Sequence, residues 1–540
     1  MTSPIPSTNT LPLRGLDTSP PSTVTLESTS SHETKLPSSY AEPPGSFEYI
    51  VAALALFLAT TDATIVSTSL PTIAADLKAT ANEYSWVGVS YMLTQTACQP
   101  LYPPLSRLFG RKAVLFTSIF IFVFASTLCG AAKTATWLIV SRSVQGVGAG
   151  GIVNSVWVLT SDIVTVEQKH KWSQALSLTW SASAIGGPIL GGLFIYLNIP
   201  VGLTALFMLY FSLRHFTLER KLSDFTWAAM RKELVNEFDF IGVILFVTGT
   251  VSTVLGFSFA STAGWSSPLV LTLLICGVGL LGAGVAYEMY TSRVAIFPPA
   301  MFRSRTEVII LLISFLHNVA FNAGTFYLAL YYQAVLGVEP LICGVLMLPY
   351  SLGSALASIP VAQYNDYLFK KRNDTFCYKS VIILGLAIST IGFGLFTLLD
   401  ERSNLATREL FPLIAGIGVG MLFHAPFAAL TTGMSAHDRS RSTSAFFLVR
   451  FIGATSGLSV AGAVYESGLT RTLPPNAPFS ADGASTDLRR LVDIQPESLR
   501  LAVLHAVSSS ISIAFGIKIV AVEKETVSVP YSEKEKKVEV

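Results

Sequence analysis

The chain has 540 residues, of which 51% are hydrophobic and 13% charged, and its formal net charge is +2. A soluble globular domain carries roughly 25% charged residues, so this balance argues against one and suits a chain whose solvent is mostly lipid. The small net charge argues against a nucleic-acid partner. The five scattered cysteines form no CxxC pair, which argues against a disulfide framework or zinc site and leaves them as packing residues.

Residues 1–46 are rich in Ser, Thr and Pro without hydrophobic period and read as a disordered tail. The first apolar run starts late and is too long for the h-region of a signal peptide. Apolar stretches long enough to cross about 30 Å of hydrocarbon then recur at 48–70, 85–106, 112–131, 135–157, 173–194, 197–214, 239–260, 268–289, 307–330, 340–362, 378–399, 410–430, 444–466 and 500–521. The expected fold is therefore all-α and integral to the membrane, with fourteen spans. With both termini in the cytoplasm, the inner connections hold roughly twice the Lys and Arg of the outer ones, as the positive-inside rule requires. A faint internal echo relates "LSRLFGRK" at 105–112, after the second span, to "YNDYLFKK" at 364–371, after the tenth. Internal repeats are a habit of secondary transporters.

The stretch "LATTDATIVSTSLPTI", 58–73, in the second half of the first span, carries one carboxylate, Asp62, with no basic residue within ten positions. At 1.5 Å per residue it lies about 4 to 5 Å outward of the midplane. Arg142, in "WLIVSRSVQGVGAGGI" of the fourth span, lies about 6 Å outward by the same count. Two intramembrane charges at one depth are expected to pair or to line a water-filled cavity. A fixed structural salt bridge and a proton-coupling site both fit that placement. Burial raises a carboxyl pKa and a nearby cation lowers it, so a change of surroundings between two conformations can load and release a proton.

Small-residue runs mark the fourth span, "QGVGAGGI", and the fifth, "SASAIGGPILGGLF", where they let helix backbones approach closely. Pro188 marks a kink in the fifth. No strand precedes these glycines, so a dinucleotide-binding reading fails. No Ser/His/Asp grouping, metal-binding His cluster or phosphate loop is found in the sequence. Neither enzymatic activity nor a cofactor or metal is therefore expected.

"TTDATIVSTSLPTIAADL", "LFGRK", "LIVSRSVQGVGAGGI" and "AIGGPILGG" follow one another in the order, and on the spans, of the major facilitator superfamily. The span count and the Asp-x-Thr-Ile-Val…Leu-Pro signature resemble its drug:proton antiporter branch with fourteen helices, and "KWSQALSLTWSASAIGGPILGG" is most similar to fungal members. The resemblance covers about residues 47 to 522. It implies two six-helix bundles, 47–215 and 306–522, separated by two extra helices in 216–305 and followed by a cytoplasmic tail, 523–540. It also implies alternating access and export driven by proton influx. Asp62 matches the first-span acid and Arg142 the fourth-span arginine implicated in proton handling. Gly187, Pro188, Gly191 and Gly192 match the antiporter motif, and Gly110, Arg111 and Lys112 the end of the gating loop after span 2.

Two departures stand out. The gating loop usually reads Gly-x-x-x-Asp-x-x-Gly-Arg-Lys, but here Pro103 replaces the Gly and Arg107 the Asp. The junction "GGLFIYLNIPVG", 191–202, leaves only about three residues to reverse direction between spans 5 and 6, where relatives usually carry a longer stretch. It is either a tight natural hairpin or the mark of about a dozen omitted residues.

Under the family arrangement, Gln95, Gln99, Asn154, Trp180, His317, Asn318, Asn322, Tyr327, Tyr331 and His424 are candidates to line the substrate cavity, with interhelical hydrogen bonding as the competing role of each. An apolar, aromatic-lined pocket suits amphipathic organic molecules better than sugars or phosphates. An anionic substrate would want more basic residues than Arg142. Three readings stay open: a proton-coupled exporter of drugs, toxins or secondary metabolites; a transporter of basic amino acids or siderophores, for which Glu466 is a weak extra acid; and a non-transporting sensor or defective member. The expected partners are a small-molecule substrate, protons and the lipid bilayer. A monomer is expected, in the plasma membrane in preference to the vacuolar one.

Overall fold

The computed structural model describes residues 46–163, 238–291, 293, 297–303, 305–372, 376–434, 438–477, 491 and 494–526, with isolated positions between 175 and 187. They form helices joined by turns and belong to one compact unit, 43–540. In chain order the helices are α1 (Ser46–Asp76), α2 (Ala81–Ala97), a 3-10 turn (Gln99–Leu101), α3 (Tyr102–Phe109), α4 (Arg111–Gly130) and α5 (Ala135–Ile163). Then come α6 (Phe240–Ala263), α7 (Pro268–Tyr290), α8 (Ala300–Arg303), α9 (Arg305–Ala334), α10 (Pro340–Leu346), α11 (Leu348–Arg372), α12 (Phe376–Phe396), α13 (Leu405–Gly433), α14 (Arg439–Thr472) and α15 (Glu497–Thr526). Among the described residues nine helices are long and apolar enough to cross a membrane. The fold is an all-α membrane fold, as expected.

Helices coincide with twelve of the fourteen expected spans. The expected spans 173–194 and 197–214 lie outside the described residues, apart from the isolated positions, and so does the 191–202 junction. The tail 1–45 and the last residues, 527–540, lie outside them too. Two spans expected to be continuous are broken. The second is interrupted at Gln99–Leu101, where Pro100, Pro103 and Pro104 remove backbone donors. The tenth is broken at Met347, between α10 and α11, two residues before Pro349. α15 continues to Thr526, past the expected end of its span at 521.

Short connections with polar caps hold the helix ends. Thr80 and Glu83 form a reciprocal capping box at the start of α2, with Glu83 N–H donating to Thr80 Oγ1 at 3.3 Å and Thr80 N–H to Glu83 Oε2 at 3.0 Å. Asp239 accepts from Gly242 N–H (3.0 Å) at the start of α6, and Asn404 from Thr407 N–H (2.9 Å) at the start of α13. Gly110, at φ +86°, takes the turn between α3 and α4 that an L side chain resists.

The glycine runs set the packing. In α5 a Cβ on Gly146 would strike the Tyr91 carbonyl of α2, one on Gly148 the Phe122 backbone of α4, and one on Gly150 the Gln95 carbonyl of α2. α5 is thus wedged between α2 and α4 at backbone contact. The same pattern recurs in the second half: Gly416 faces the Tyr350 carbonyl of α11, Gly418 the Ser389 backbone of α12, and Gly420 the Ser354 carbonyl of α11. Tyr91 and Tyr350, and Gln95 and Ser354, are separated by the same interval as the 105–112 and 364–371 echo. The echo therefore marks a structural repeat in which α11, α12 and α13 stand for α2, α4 and α5.

Outward faces are apolar. α7 exposes Leu269, Leu271, Ile275 and Val278, and α4 exposes Phe116, Phe120 and Phe124. Surfaces of this kind are a liability in water and native in hydrocarbon. The two halves meet toward both sides. Near the Gly110 side, Trp157 of α5 packs on Phe427 of α13 (ring centroids 4.9 Å) and Phe447 of α14 (5.2 Å). Toward the Thr80 side, Phe326 of α9 packs against Leu70, Val87 and Leu138. Between these, Thr96 and Thr455 share a hydrogen bond of 3.1 Å.

Candidate functional site: a buried ion pair and a polar core

Asp62 and Arg142 are each 4% exposed and form a salt bridge between Asp62 Oδ2 and Arg142 Nη1. Gln145, one helical turn after Arg142, completes a triangle. Its Nε2 donates to Asp62 Oδ1 (3.0 Å) and to Ser126 Oγ of α4 (2.7 Å), while its Oε1 accepts from Arg142 Nη1 (2.6 Å). The Arg142 guanidinium carbon lies 4.2 Å from the ring centroid of Tyr91, whose hydroxyl donates to the Ala59 carbonyl (3.0 Å). Four helices, α1, α2, α4 and α5, converge on one carboxylate. The cation and the amide donor hold the two carboxylate oxygens, and the ring lies against the guanidinium, so the buried charges are paired.

Gln145 and Ser126 were not readable as site residues. The spacing of Arg142 and Gln145 puts them on one face of α5, but only the packing of α4 and α1 shows that this face meets Asp62. Tyr91 likewise gave no sign beyond an aromatic residue in a span.

The remaining candidates divide into groups. Asn154 Nδ2 donates to Gln99 Oε1 (3.2 Å), and Gln99 Nε2 to the Gly150 carbonyl (3.4 Å). These join α5 to the 3-10 turn, with Gln95 buried one turn before Gln99. Asn318 Nδ2 donates to the Ser314 carbonyl (2.8 Å), and its Oδ1 accepts from Arg450 Nε of α14 (3.3 Å). Arg450 is 5% exposed and was missed in the sequence reading, although it is an arginine inside an apolar span. His317 is buried beside it, edge-on to Phe423 with ring centroids 5.3 Å apart. Asn322 Nδ2 bonds its own helix at the Asn318 carbonyl (3.2 Å). Tyr327 packs on Tyr465 (5.7 Å). Tyr331 stands apart: its hydroxyl donates to the Asp400 carbonyl (2.7 Å), tying the end of α9 to the α12–α13 connection.

Gly187 is helical and buried, and nearby Ser183 shares a hydrogen bond with Thr60 of α1. Trp180, Pro188, Gly191 and Gly192 lie outside the described residues, as do the side chains of Arg107 and His424. Arg111 and Lys112 open α4 directly after Gly110.

Known proteins resemble the chain over most of its length. The profile of the Major Facilitator Superfamily matches residues 52–302 and 291–458. An uncharacterized MFS-type transporter of Schizosaccharomyces pombe is 31% identical over 443 residues, 80% of this chain and 72% of that protein. The efflux pump dotC of Dothistroma septosporum is 29% identical over 480 residues, 86% of this chain and 80% of its own length. Among solved structures, a bacterial homolog of the human lysosomal transporter Spinster, inward-facing and unoccupied, matches with a TM-score of 0.58 at 13% identity, over 90% of this chain and 97% of that one. That last likeness concerns the fold alone.

Proposed function

Because the chain belongs to the Major Facilitator Superfamily, we propose that it is a proton-coupled exporter of amphipathic organic compounds (drugs, toxins or secondary metabolites) of the fourteen-span drug:proton antiporter type. It is a transporter and not an enzyme. One observation carries the coupling reading: Asp62, the carboxylate in the interior of α1, is buried and held by Arg142 and Gln145 in a lipid-spanning bundle. A carboxylate there costs several kcal/mol unless paired, and its pairing depends on how four helices stand. As the halves rock and the four helices shift against one another, the Arg142 and Gln145 contacts loosen and Asp62 takes a proton from the outer side. Return of the arginine and amide expels the proton inward.

Arg142 is the gate on that proton, Gln145 positions both partners, and the glycines of α5 keep α2 and α4 close enough for the network to form. The Gly110–Lys112 turn and the Trp157–Phe427–Phe447 contact form the inner closure. The efflux pump dotC and its kind support the direction of transport. Both termini lie in the cytoplasm, and the protein works as a monomer in the plasma membrane.

The test is a pump-depleted fungal host expressing the chain, screened across a toxin panel, followed by efflux of the best compound under an imposed pH gradient. Asp62→Asn should reach the membrane normally and lose gradient-driven efflux. Normal efflux by a well-expressed Asp62→Asn variant would sink the reading.

A further inference from the structure

Among the described residues Asp62 is the one carboxylate bonded to Arg142, so a proton on Asp62 takes away the charge that holds it. Arg142 is 4% exposed, and a buried cation without its counter-charge is a costly state. Two neutral groups stay with it: Gln145 Oε1, which accepts from Nη1 at 2.6 Å, and the face of Tyr91, whose ring centroid lies 4.2 Å from the guanidinium carbon. Tyr91 is 1% exposed, and its ring is fixed from two directions. Its hydroxyl donates to the Ala59 carbonyl of α1 (3.0 Å), in the turn before Asp62. Its backbone abuts α5, because a Cβ on Gly146 would lie 2.3 Å from the Tyr91 carbonyl oxygen. The ring is thus registered to the part of α1 that carries Asp62 and to α5 one turn after Arg142.

We infer that Tyr91 is a positioning residue for proton coupling: its ring face retains Arg142 while Asp62 is protonated and keeps the guanidinium in place to re-form the ion pair when the proton leaves. The inference rests on the coupling reading above and assigns it a further residue. An aromatic face attracts a guanidinium through the ring quadrupole, and the attraction is strongest away from water, as here. Neither the ring nor the Gln145 amide carries a charge, so a proton on Asp62 leaves both contacts standing. Gln145 alone would offer a single oxygen to a group with several donors. Without the ring, Arg142 would be held by that oxygen only and could drift from α1, and the pair would re-form less readily. The Tyr91 hydroxyl acts on Ala59 and not on Arg142, so the two contributions of the side chain can be separated. A ring that merely fills space would do so equally well with its face depleted of negative charge.

The test keeps the ring's shape and changes its charge distribution. Tyr91→Phe comes first, followed by 4-fluoro-, 3,5-difluoro- and 3,4,5-trifluorophenylalanine incorporated at the same position, which present rings of nearly constant size and progressively less negative faces. The series is made in the parent and in Asp62→Asn, where the carboxylate is permanently neutral, and the thermal unfolding midpoint of each purified full-length protein is read in detergent. The midpoint should fall stepwise with fluorination, and at least about twofold more steeply in Asp62→Asn than in the parent, because the ring is then the main attraction left to Arg142. In liposomes, the trifluoro variant of the parent should show substrate-driven proton flux lower than that of Tyr91→Phe by on the order of tenfold. Should Tyr91→Phe fail to fold, 3,5-difluorotyrosine compared with tyrosine repeats the measurement with the hydroxyl in place. Midpoints that ignore fluorination, or that fall equally in both backgrounds, would overturn the inference and leave Tyr91 as a packing residue. Unfolding is read without any gradient, so this outcome is independent of whether Asp62 couples transport to protons.

Discussion

Replacing Gly148 by alanine separates helix packing from helix propensity. A Cβ at this position would lie 2.6 Å from Phe122 N and 2.8 Å from Phe122 Cα. Carbon contacts settle near 3.5–4.0 Å, so α4 must retreat by about 1 Å. Overpacking of this kind costs about 1–3 kcal/mol, against a helix-propensity gain of about 1 kcal/mol. The net effect is a loss. The same retreat would stretch the Gln145–Ser126 hydrogen bond, 2.7 Å long and one turn earlier on the same interface, to about 3.7 Å, beyond hydrogen-bonding reach. Gly279 is the control, because a Cβ there meets nothing within 4 Å. Thermal unfolding of the detergent-solubilised protein should show Gly148→Ala destabilised, and Gly279→Ala unchanged or slightly stabilised. Gly418→Ala, whose Cβ would strike the Ser389 backbone, should follow Gly148→Ala by the repeat. Gly148→Ala as stable as the parent, or no difference between it and Gly279→Ala, would refute the wedged-helix account.

Gln145→Leu removes hydrogen bonds to Asp62, Arg142 and Ser126. Bonds to charged groups are worth about 1.5–3 kcal/mol each, so the variant should unfold earlier and lose gradient-driven efflux, and parental values for both would remove Gln145 from the network. Arg107→Asp restores the acid usual in the gating loop and removes a like charge close in sequence to Arg111 and Lys112. Efflux should be retained or raised, and loss of activity at unchanged expression would show that Arg107 has a necessary partner of its own. Across residues 191–202, cDNA sequencing should reveal extra codons between Phe194 and Ile195 that include a Trp or Arg. A transcript matching the present sequence establishes the tight hairpin instead.

Charge depth made the first half legible. Asp62 and Arg142 stand at one level by residue counting, and they are bonded. The GxGxG run of α5 was readable as a close-packing stripe because only glycine permits backbone contact. Its counterpart at 416–420 became meaningful only once α11 and α12 were seen on its two sides. The break at Gln99–Leu101 had its signal in Pro100, Pro103 and Pro104, but hydropathy alone reads through such a break.

Other residues could not be placed from sequence. A polar side chain in a span bonds across helices, along its own helix or into a loop according to how the helix is rotated. Asn318 reaches Arg450, Asn322 turns back to its own backbone, and Tyr331 ends on the Asp400 carbonyl. Arg450 was passed over because apolar neighbours on both sides make one charge look incidental, although an intramembrane charge rarely is.

Proton movement itself tests the central claim most directly. The full-length protein, reconstituted into liposomes loaded with a pH-sensitive dye, is given an outward gradient of the best compound from the toxin screen, with membrane potential clamped. The account predicts that the compound drives a matching opposite flux of protons, and that Asp62→Asn, reconstituted to the same density, gives none. Compound movement without proton flux in the parent, or an undiminished proton flux in Asp62→Asn, would contradict it.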